Sequence, residues 1–373
     1  MNPRIVIALV IAFPFVLEAT WAQDDLVIRA GRVDGLEGAA IVDGEVLMRG
    51  GKIVAVGKRV ETPEGTRRLV FPDAVIVPGF VDGGAHVGVA QYRDESTSNV
   101  NPSLRIADAL DTADETIAKA RRAGITTFHL MPGDAEVIGG RTAVVKVASD
   151  ERVTWLRREA YLKCSLAPGA WRRGRAPTHV MGGVELLEQW KDDAALRPFW
   201  ADRCFVAAFT SREVDVVSRL QKRCGLKPLL LANSSMLPHV GRVRATTRGV
   251  ILDPLLPSLS DRWRRTPAAL AKAGVKFGFA SRAGARPAAG LRLSSVVARM
   301  AGLSADDALS AITLWPAQLL GVDDRVGSLA RGKDADLVVL THHPSDPRAR
   351  VRCVVQGGRV VHHPKSVTLD SAK

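Results

Sequence analysis

Between residues 76 and 321, short apolar segments alternate with helical patterns, and this alternation constrains the fold more than any other feature of the sequence. The apolar segments include GITTFHLMP, RTAVVKVAS, CFVAAF, KPLLLAN, GVILDP and VKFGFAS. Helical spacing fills several of the intervals, as in SREVDVVSRLQKRCG and over residues 105–122, where Gly124 is the expected stop. Repeated strand–helix units with apolar strands predict a parallel sheet covered by helices. About seven or eight such units favour a (β/α)8 TIM-type barrel over an open doubly wound sheet.

The two ends of the chain differ from the middle, because both have the alternation and turns of short strands. LVIRAGRV and AAIVDGEVLMRGGKIVAVG lie near the start, and VRCVVQGGRVVHH lies near the other end. We therefore predict an α/β protein in which a small β-sandwich domain, formed from both chain ends, accompanies the barrel. The predicted bounds are, in chain order, a signal peptide (1–22), an N-terminal β-sandwich segment (23–75), the barrel (76–321), a C-terminal β-sandwich segment (322–365) and a tail (366–373).

The N-terminus has the pattern of a cleavable signal peptide. Arg4 provides a positive charge, Ile5 to Leu17 are apolar, and Thr20 and Ala22 are small residues at the expected positions of a cleavage site. The apolar stretch is short for a bilayer span, so export to the periplasm or the extracellular space is favoured over an uncleaved anchor. Export permits disulfides, and the four cysteines leave two alternatives open, which are two disulfides or buried free thiols.

The charge balance is strongly basic, with a net charge of +13 and a pI of about 10.0. In an exported protein this favours an anionic partner, which would be a small anionic ligand or an envelope polymer, or else a soluble basic surface. The sequence contains no nucleic-acid recognition motif and no basic patch interleaved with aromatic residues, so no nucleic-acid partner is predicted. No pattern specifies an oligomeric state.

Three segments carry a resemblance to a known family. VIVPGFVDGGAHVG resembles the first barrel strand of the amidohydrolase superfamily, whose usual form ends in Asp-x-His-x-His, and VGSLARGKDADLVVL resembles the family's return into its small β-sandwich. GITTFHLMPGDAEVIGGRTAVVKV resembles a subgroup related to imidazolonepropionases and prolidase-like amidohydrolases. The resemblance covers most of the chain that follows the signal peptide. It implies a metal-dependent (β/α)8 barrel that hydrolyses amide-like C–N bonds.

The resemblance also implies a set of metal ligands at the carboxyl ends of the strands. The set comprises a His-x-His pair, often a Lys, two further His and an Asp that also acts as the general base. Here the pair is reduced to Gly84 and His86, and Lys146 stands where the subgroup has its Lys. The remaining expected positions hold other residues, which are Ala207 and Phe209, Ala232 and Asn233, and Ser281 and Arg282.

These substitutions predict that the metal centre has been lost. A zinc site needs about three or four N, O or S ligands in fixed geometry, and at most His86 and Lys146 remain. Arg282, at the base position, would repel a divalent cation. His239 follows a strand-end loop and is the best candidate for a replacement ligand. We therefore predict no catalytic residue and no cofactor, with zinc present only if the site is still active.

The segment from Trp155 to Gly183 is long, basic and rich in Pro and Gly. Loops of this kind over a barrel mouth often bind ligands. Arg172 and Arg173 are predicted to form, with Arg282, a cationic pocket for a ligand that carries a carboxylate or a phosphate. The alternative is a solvated surface loop.

The sequence alone leaves three functions open, and it leaves open whether the chain is an enzyme. The first is an exported, catalytically degenerate amidohydrolase homologue that binds a ligand or a partner. The second is a metal-dependent hydrolase that acts on non-peptide C–N bonds through a rearranged mononuclear site with His86 and His239. The third is a basic structural protein associated with the cell envelope.

Overall fold

The computed structural model describes residues 25–363 except 92, 96, 172 and 173, and this part of the chain has a mixed α/β fold. The predicted signal peptide and tail lie outside the described residues. The strands are β1 (Leu26–Val33), β2 (Ile41–Arg49), β3 (Lys52–Gly57), β4 (Arg67–Pro78), β5 (Phe80–Ala85), β6 (Ile125–Leu130), β7 (Ile138–Arg141), β8 (Ala143–Val147), β9 (Val153–Arg157), β10 (Leu162–Ser165), β11 (Cys204–Ala207), β12 (Leu229–Ala232), β13 (Gly249–Leu252), β14 (Phe277–Phe279), β15 (Leu337–Leu340), β16 (Val351–Gln356) and β17 (Arg359–His362).

The helices lie mainly between the strands of the middle of the chain. They are α1 (Glu115–Arg122), α2 (Val180–Trp190), α3 (Arg197–Trp200), α4 (Ser211–Cys224), α5 (Val240–Thr246), α6 (Asp261–Arg264), α7 (Thr266–Lys272), α8 (Gly290–Met300), α9 (Ala305–Ser310) and α10 (Leu314–Leu320). Short 3-10 helices cover Ile106–Ala109, Pro168–Ala170 and Ser234–His239. Within the described residues, no helix has the length and apolar character that crossing a membrane requires.

Strands from both ends of the chain form one seven-stranded sheet, in the order β17-β16-β15-β4-β1-β2-β3. Strand β4 joins the two ends, because it pairs in parallel with β1 and antiparallel with β15. The sheet buries its own apolar cluster, which includes Ile28, Ile76 and Val339. Strand β4 continues to Pro78, beyond residue 75, where the N-terminal sandwich segment is predicted to end. The domain bounds themselves stay a prediction.

The middle of the chain forms a six-stranded sheet, β14-β13-β12-β11-β10-β7, and a four-stranded sheet, β5-β6-β8-β9. Strands β10 to β14 are parallel and buried along their whole length, and the apolar runs predict β11 to β14 among them. Two backbone hydrogen bonds connect the segment after β14 with the end of β5, from Arg282 N to Gly84 O (3.0 Å) and from His86 N to Ala283 O (2.6 Å). The strands do not pair into one closed sheet, so the (β/α)8 barrel stays a prediction.

Helix α1 is shorter than the helix predicted over residues 105–122. It begins at Glu115, where the Asp114 carboxylate caps it by accepting a hydrogen bond from Thr116 N at 2.7 Å. The Asp111 carboxylate likewise accepts from Ala113 N at 3.0 Å. Side chains that bond to nearby backbone groups compete with helical hydrogen bonds. The helical spacing of the apolar residues therefore extends further than the helix itself.

The four cysteines are free thiols, which decides between the two alternatives that the sequence leaves open. Cys164 and Cys204 are buried on the neighbouring strands β10 and β11, Cys353 is buried in β16, and Cys224 is half-buried at the end of α4.

Candidate functional site

A cavity of about 570 Å³ lies at the carboxyl ends of the strands. Residues that lie just after four of these strands reach it, because the carboxyl ends of parallel strands meet at one edge of a sheet. They are His86 after β5, Asn233 after β12, Asp253 after β13 and Arg282 after β14. The other lining residues are Arg93, Asp134, Phe209, Ser234, Ser235, Pro254, Leu256, Leu259, Trp263, Ala285 and Arg286.

Arg282 bridges two carboxylates in the wall of this cavity. Its Nε lies 2.8 Å from Asp253 Oδ1, and its Nη1 lies 3.5 Å from Asp134 Oδ2. The side chain is buried, and burial alone would lower its pKa, but Asp253 and Asp134 together raise the pKa of Arg282 above its ordinary value. The backbone has φ = 54°, which is uncommon for a residue other than glycine. The turn after β14 thus directs a permanently charged guanidinium into the cavity wall.

Lys163 of β10 is a buried cation, and it is not among the site residues predicted from the sequence. The side chain is fully buried, and its Nζ donates to Gly133 O at 3.0 Å and to the carboxylate of Asp134. Asp134 therefore lies between Lys163 and Arg282. Burial alone would raise the pKa of Asp134, but the two cations lower it to about 2. The strand-like segment YLKCSLA is the available signal, and it lies within the stretch that the sequence analysis interprets as one long loop.

His86 lines the same cavity and is only 3% exposed. No described residue forms a hydrogen bond with either of its ring nitrogens, Nδ1 and Nε2. Burial, assisted by the nearby charges of Arg282 and Arg93, lowers the pKa of His86 to about 3. At neutral pH the ring is therefore uncharged, with one N–H donor and one nitrogen acceptor.

Asp82 has a structural role beside the cavity. Its carboxylate accepts hydrogen bonds from Ser281 N at 2.9 Å, from Gly84 N at 3.0 Å and from the Ser281 hydroxyl. The residue is fully buried, and burial raises the pKa of Asp82. These contacts join the end of β5 to the segment after β14 and so hold the two edges that carry His86 and Arg282.

The space beside Gly84 is occupied by its neighbours. A Cβ atom added at Gly84 would lie 2.8 Å from Met131 Cε and 2.9 Å from Ala280 Cβ, distances that side chains do not tolerate without rearrangement. The space that the first histidine of the expected His-x-His pair would need is therefore occupied by neighbouring side chains. A histidine there would have to displace both Met131 and Ala280.

Lys146 does not reach the cavity. Strand β8, which carries it, runs antiparallel to β6, whereas β5 and β6 are parallel, so the carboxyl end of β8 lies at the opposite end of the sheet. There the Lys146 ammonium donates to Asp334 and Asp336, each at 2.9 Å. Lys146 thus connects the four-stranded sheet to the seven-stranded sheet.

His239 also lies outside the cavity lining. It is the last residue of the 3-10 helix that begins at Ser234, and its Nδ1 is 3.9 Å from Asp215 Oδ1. The structure therefore brings together His86 and Arg282 among the predicted site residues, and it places Lys146 and His239 elsewhere.

Arg172 and Arg173 lie outside the described residues. The segment around them, residues 155–183, is predicted to be one long loop, and this is corrected by the structure. The segment contains β10 and the beginning of α2. All four side chains of β10 are buried, which explains why this part forms a strand and not a loop.

The resemblance implies a metal ion, and the donors in the cavity do not fit one. His86, Asp134 and Asp253 are the imidazole and carboxylate groups of the lining, and both carboxylates bind Arg282. Over residues 25–363 as described, no group of three or more His, Cys, Asp and Glu side chains is placed to hold a metal ion. A divalent cation beside His86 would also be repelled by the guanidinium of Arg282.

Comparison with known proteins gives one family and several related enzymes. The amidohydrolase family model matches residues 200–361. Amidohydrolase tasK of Hapsidospora irregularis is 24% identical over 376 residues, which is 81% of this chain but only 38% of that protein. Imidazolonepropionase of Pseudomonas paraeruginosa is 25% identical over 356 residues, which is 80% of this chain and 88% of that enzyme.

Solved structures show the same fold. An amidohydrolase from Thermotoga maritima MSB8 superimposes with a TM-score of 0.80 and 22% identity, covering 91% of this chain and 100% of that one. A Xaa-Pro dipeptidase with bound methionine gives a TM-score of 0.55 and 16% identity, covering 90% and 99% of the two chains. The matched family model, the relatives and the shared fold agree with the motifs in the sequence, and together they support the assignment of the chain to the amidohydrolase superfamily.

Proposed function

We propose that this amidohydrolase-family protein is a catalytically degenerate homologue that binds a ligand in the cavity at the carboxyl ends of its strands. The strongest support is the position of Arg282, whose guanidinium is bonded to both carboxylates of the cavity, Asp134 and Asp253. An amidohydrolase holds a metal cation with such groups. Here the chain provides its own cation, and the carboxylates are occupied by it.

The acid–base properties of the cavity point the same way. Hydrolysis of a C–N bond needs a group that can take a proton from water near neutral pH. The pKa of Asp134 is lowered to about 2 and that of His86 to about 3, so both are weak bases at neutral pH. The proposal also retains two predictions from the sequence, a closed (β/α)8 barrel and export after removal of residues 1–22.

A metal-dependent hydrolase of non-peptide C–N bonds is the second candidate, and one observation favours it. His86 is neutral at physiological pH and its ring nitrogens are not bonded to any described residue, which is the state that a metal ligand requires. The relatives include an imidazolonepropionase and a structurally similar Xaa-Pro dipeptidase. This candidate needs Arg282 to release a carboxylate when the metal binds.

Metal analysis separates the two candidates. We expect the full-length chain, purified without chelator, to contain well below about one equivalent of zinc per chain, with the same value for His86→Ala and His239→Ala, since a stable zinc site needs about four ligands. About one equivalent of zinc that is lost in His86→Ala but kept in His239→Ala would overturn the proposal that the protein is catalytically degenerate. Loss in both variants would instead support the rearranged site predicted from the sequence.

A further inference from the structure

We propose that the cavity binds an amphipathic organic acid, with the carboxylate beside His86, Arg93 and Arg286 and the apolar body against Leu256, Leu259 and Trp263. This inference rests on the proposed function, because it places an anion where an active amidohydrolase would hold a metal cation.

The balance of charge in the cavity favours an anion. Asp134 and Asp253 are both compensated, Asp134 by Lys163 and Arg282 and Asp253 by Arg282. Two further arginines line the cavity. Arg93 is half-buried, its Nε lies 3.4 Å from Asp94 Oδ2, and its Nη1 donates to Ala90 O at 3.0 Å.

Arg286 is exposed at the rim and forms no ion pair with a described residue. The cavity therefore carries excess positive charge. An incoming ammonium group would meet carboxylates that already have partners, whereas an incoming carboxylate would meet the guanidinium groups of Arg93 and Arg286.

His86 provides the second observation. It is almost completely buried, it lines the cavity, and both ring nitrogens lack a hydrogen-bond partner among the described residues. Buried polar groups in native proteins are nearly always hydrogen-bonded, so a ring aimed into a cavity without a protein partner indicates a ligand or solvent partner there. The neutral ring can donate one N–H to a carboxylate oxygen, and the forked guanidinium of an arginine can bind the same carboxylate through two donors.

Part of the cavity lining is apolar. Leu256, Leu259, Trp263 and Phe209 line the cavity and are all half-buried. Aliphatic and aromatic side chains beside a few convergent polar groups are typical of sites for organic ligands rather than for inorganic ions. The ligand should therefore carry an apolar group next to its acid group.

A second cavity of about 490 Å³ adjoins the first. It shares Ser235 and Trp263 with the first cavity and adds Pro168, Trp171 and Val180. The second cavity is also lined by Arg212 and Glu213, so its lining is partly charged. Trp263, which lines both cavities, is an aromatic surface that the apolar body of a ligand can contact.

A matched pair of probes tests the charge preference. Binding of 3-phenylpropanoate and of its neutral amide, 3-phenylpropanamide, to the full-length chain is measured by isothermal titration calorimetry, with inorganic phosphate as a third probe. We expect the acid to bind at least about tenfold more tightly than the amide, because charge-assisted bidentate hydrogen bonds are about twice as strong as neutral ones. Equal affinities, stronger binding of phosphate, or no saturable binding of the acid at millimolar concentration would each overturn the assignment.

Two arginine variants locate the site. Arg286→Met should weaken binding of the acid by about tenfold and leave the amide unaffected, since one charged hydrogen-bond pair is lost. Arg331→Met is the matched control, because Arg331 is also exposed but lies in the turn before β15 and not in the cavity lining. Equal losses in both variants would show a general effect of net charge and would overturn the placement of the carboxylate.

Trp263→Ala tests the apolar part of the cavity lining and should weaken the binding of the acid and of the amide alike. If it weakens the binding of neither probe, the apolar body of the ligand does not contact Trp263.

The outcomes also separate this inference from the proposed function. A metal-free protein that binds acid and amide equally retains the proposed function and loses the ligand assignment. A zinc protein that hydrolyses C–N bonds and still prefers the acid loses the proposed function and retains the carboxylate site.

Discussion

The Nε atom of Arg282 lies 2.8 Å from Oδ1 of Asp253, and this pair joins the segments that follow β14 and β13 at the cavity. The two residues are 29 positions apart in the chain. Because Arg282 also contacts Asp134 after β6, one guanidinium connects three strand ends. The cavity is therefore organised by a cation that belongs to the protein.

Arg282→Met should destabilise the protein. Breaking a buried ion pair by removing one partner typically costs about 3–5 kcal/mol, and we expect about 2 kcal/mol here because the carboxylates are partly exposed. Urea denaturation followed by circular dichroism measures the free energy of unfolding. Arg286→Met, at the exposed rim, is the control and should change it by less than about 0.5 kcal/mol. Equal changes in the two variants would show that Arg282 does not organise the cavity.

Lys146→Met should destabilise the protein more than Lys52→Met. Both ammonium groups bind Asp334, at 2.9 and 2.7 Å, but the Lys146 side chain is 8% exposed and that of Lys52 is 45% exposed. Lys146 also neutralises Asp336, whose pKa burial raises. We expect a loss of about 3 kcal/mol for Lys146→Met and less than about 1 kcal/mol for Lys52→Met.

Thermal and urea unfolding of the two lysine variants provide the comparison. The pair is well matched, because each substitution removes one positive charge from the same aspartate. A larger loss in Lys52→Met would contradict the stabilising role of the buried Lys146 ion pair between the two sheets.

Gly84→Ala and Gly241→Ala should have opposite effects on stability. The added methyl group at Gly84 would contact Met131 and Ala280 at less than 3 Å, and such overpacking costs about 1–3 kcal/mol. Gly241 is exposed in α5, and an added Cβ would meet nothing within 4 Å. Alanine there should stabilise the helix by about 0.5–1 kcal/mol. The melting temperatures of both variants test this, and a stabilising Gly84→Ala would contradict the close packing beside β5.

The stability of the native protein should fall as the pH is lowered through the range in which His86 resists protonation. Burial, with Arg282 and Arg93, lowers the pKa of His86 from 6.5 to about 3, while Asp134 opposes this. The unfolded chain therefore binds more protons between about pH 6 and 4, and the free energy of unfolding decreases by about 1.4 kcal/mol for each pH unit lost, for this side chain alone. The contribution is fully present above pH 6.5 and is lost as the pH falls towards 3.

His86→Asn should remove that slope. The free energy of unfolding of the native protein and the variant is measured at several pH values by urea denaturation, and the difference between them should change with pH. His129, which is also buried with a lowered pKa of about 4, is present in both proteins and cancels. Curves that stay parallel from pH 7 to pH 4 would show that His86 is protonated as easily in the folded protein as in the unfolded chain.

Several features of this protein follow from local sequence. The strands β11 to β14 are predicted because each is a short run of apolar residues, and a strand buried on both faces needs such a run. The superfamily is predicted from short motifs near Asp82 and around residues 326–340. His86 and Arg282 are predicted as site residues because the resemblance places a metal ligand and the general base at these positions.

Other features depend on which strands pair and in which direction. The sequence RTAVVKVAS has the same apolar character whether it runs parallel or antiparallel to its neighbour, so the prediction places Lys146 at the wrong end of a sheet as a candidate ligand. Conversely, LKCS in β10 is short and contains a charge, and only the tertiary structure shows that Lys163 is buried against Asp134.

By itself, the sequence determined the superfamily, the apolar strands and the residues that stand at the expected ligand positions, because these depend on residue identity and local pattern. The tertiary structure decided that Arg282 binds both Asp134 and Asp253, that Met131 and Ala280 fill the space beside Gly84, and that His86 has no hydrogen-bond partner among the described residues. These relationships join residues that are far apart in the chain. They arise from packing and burial, which no local pattern of residues encodes.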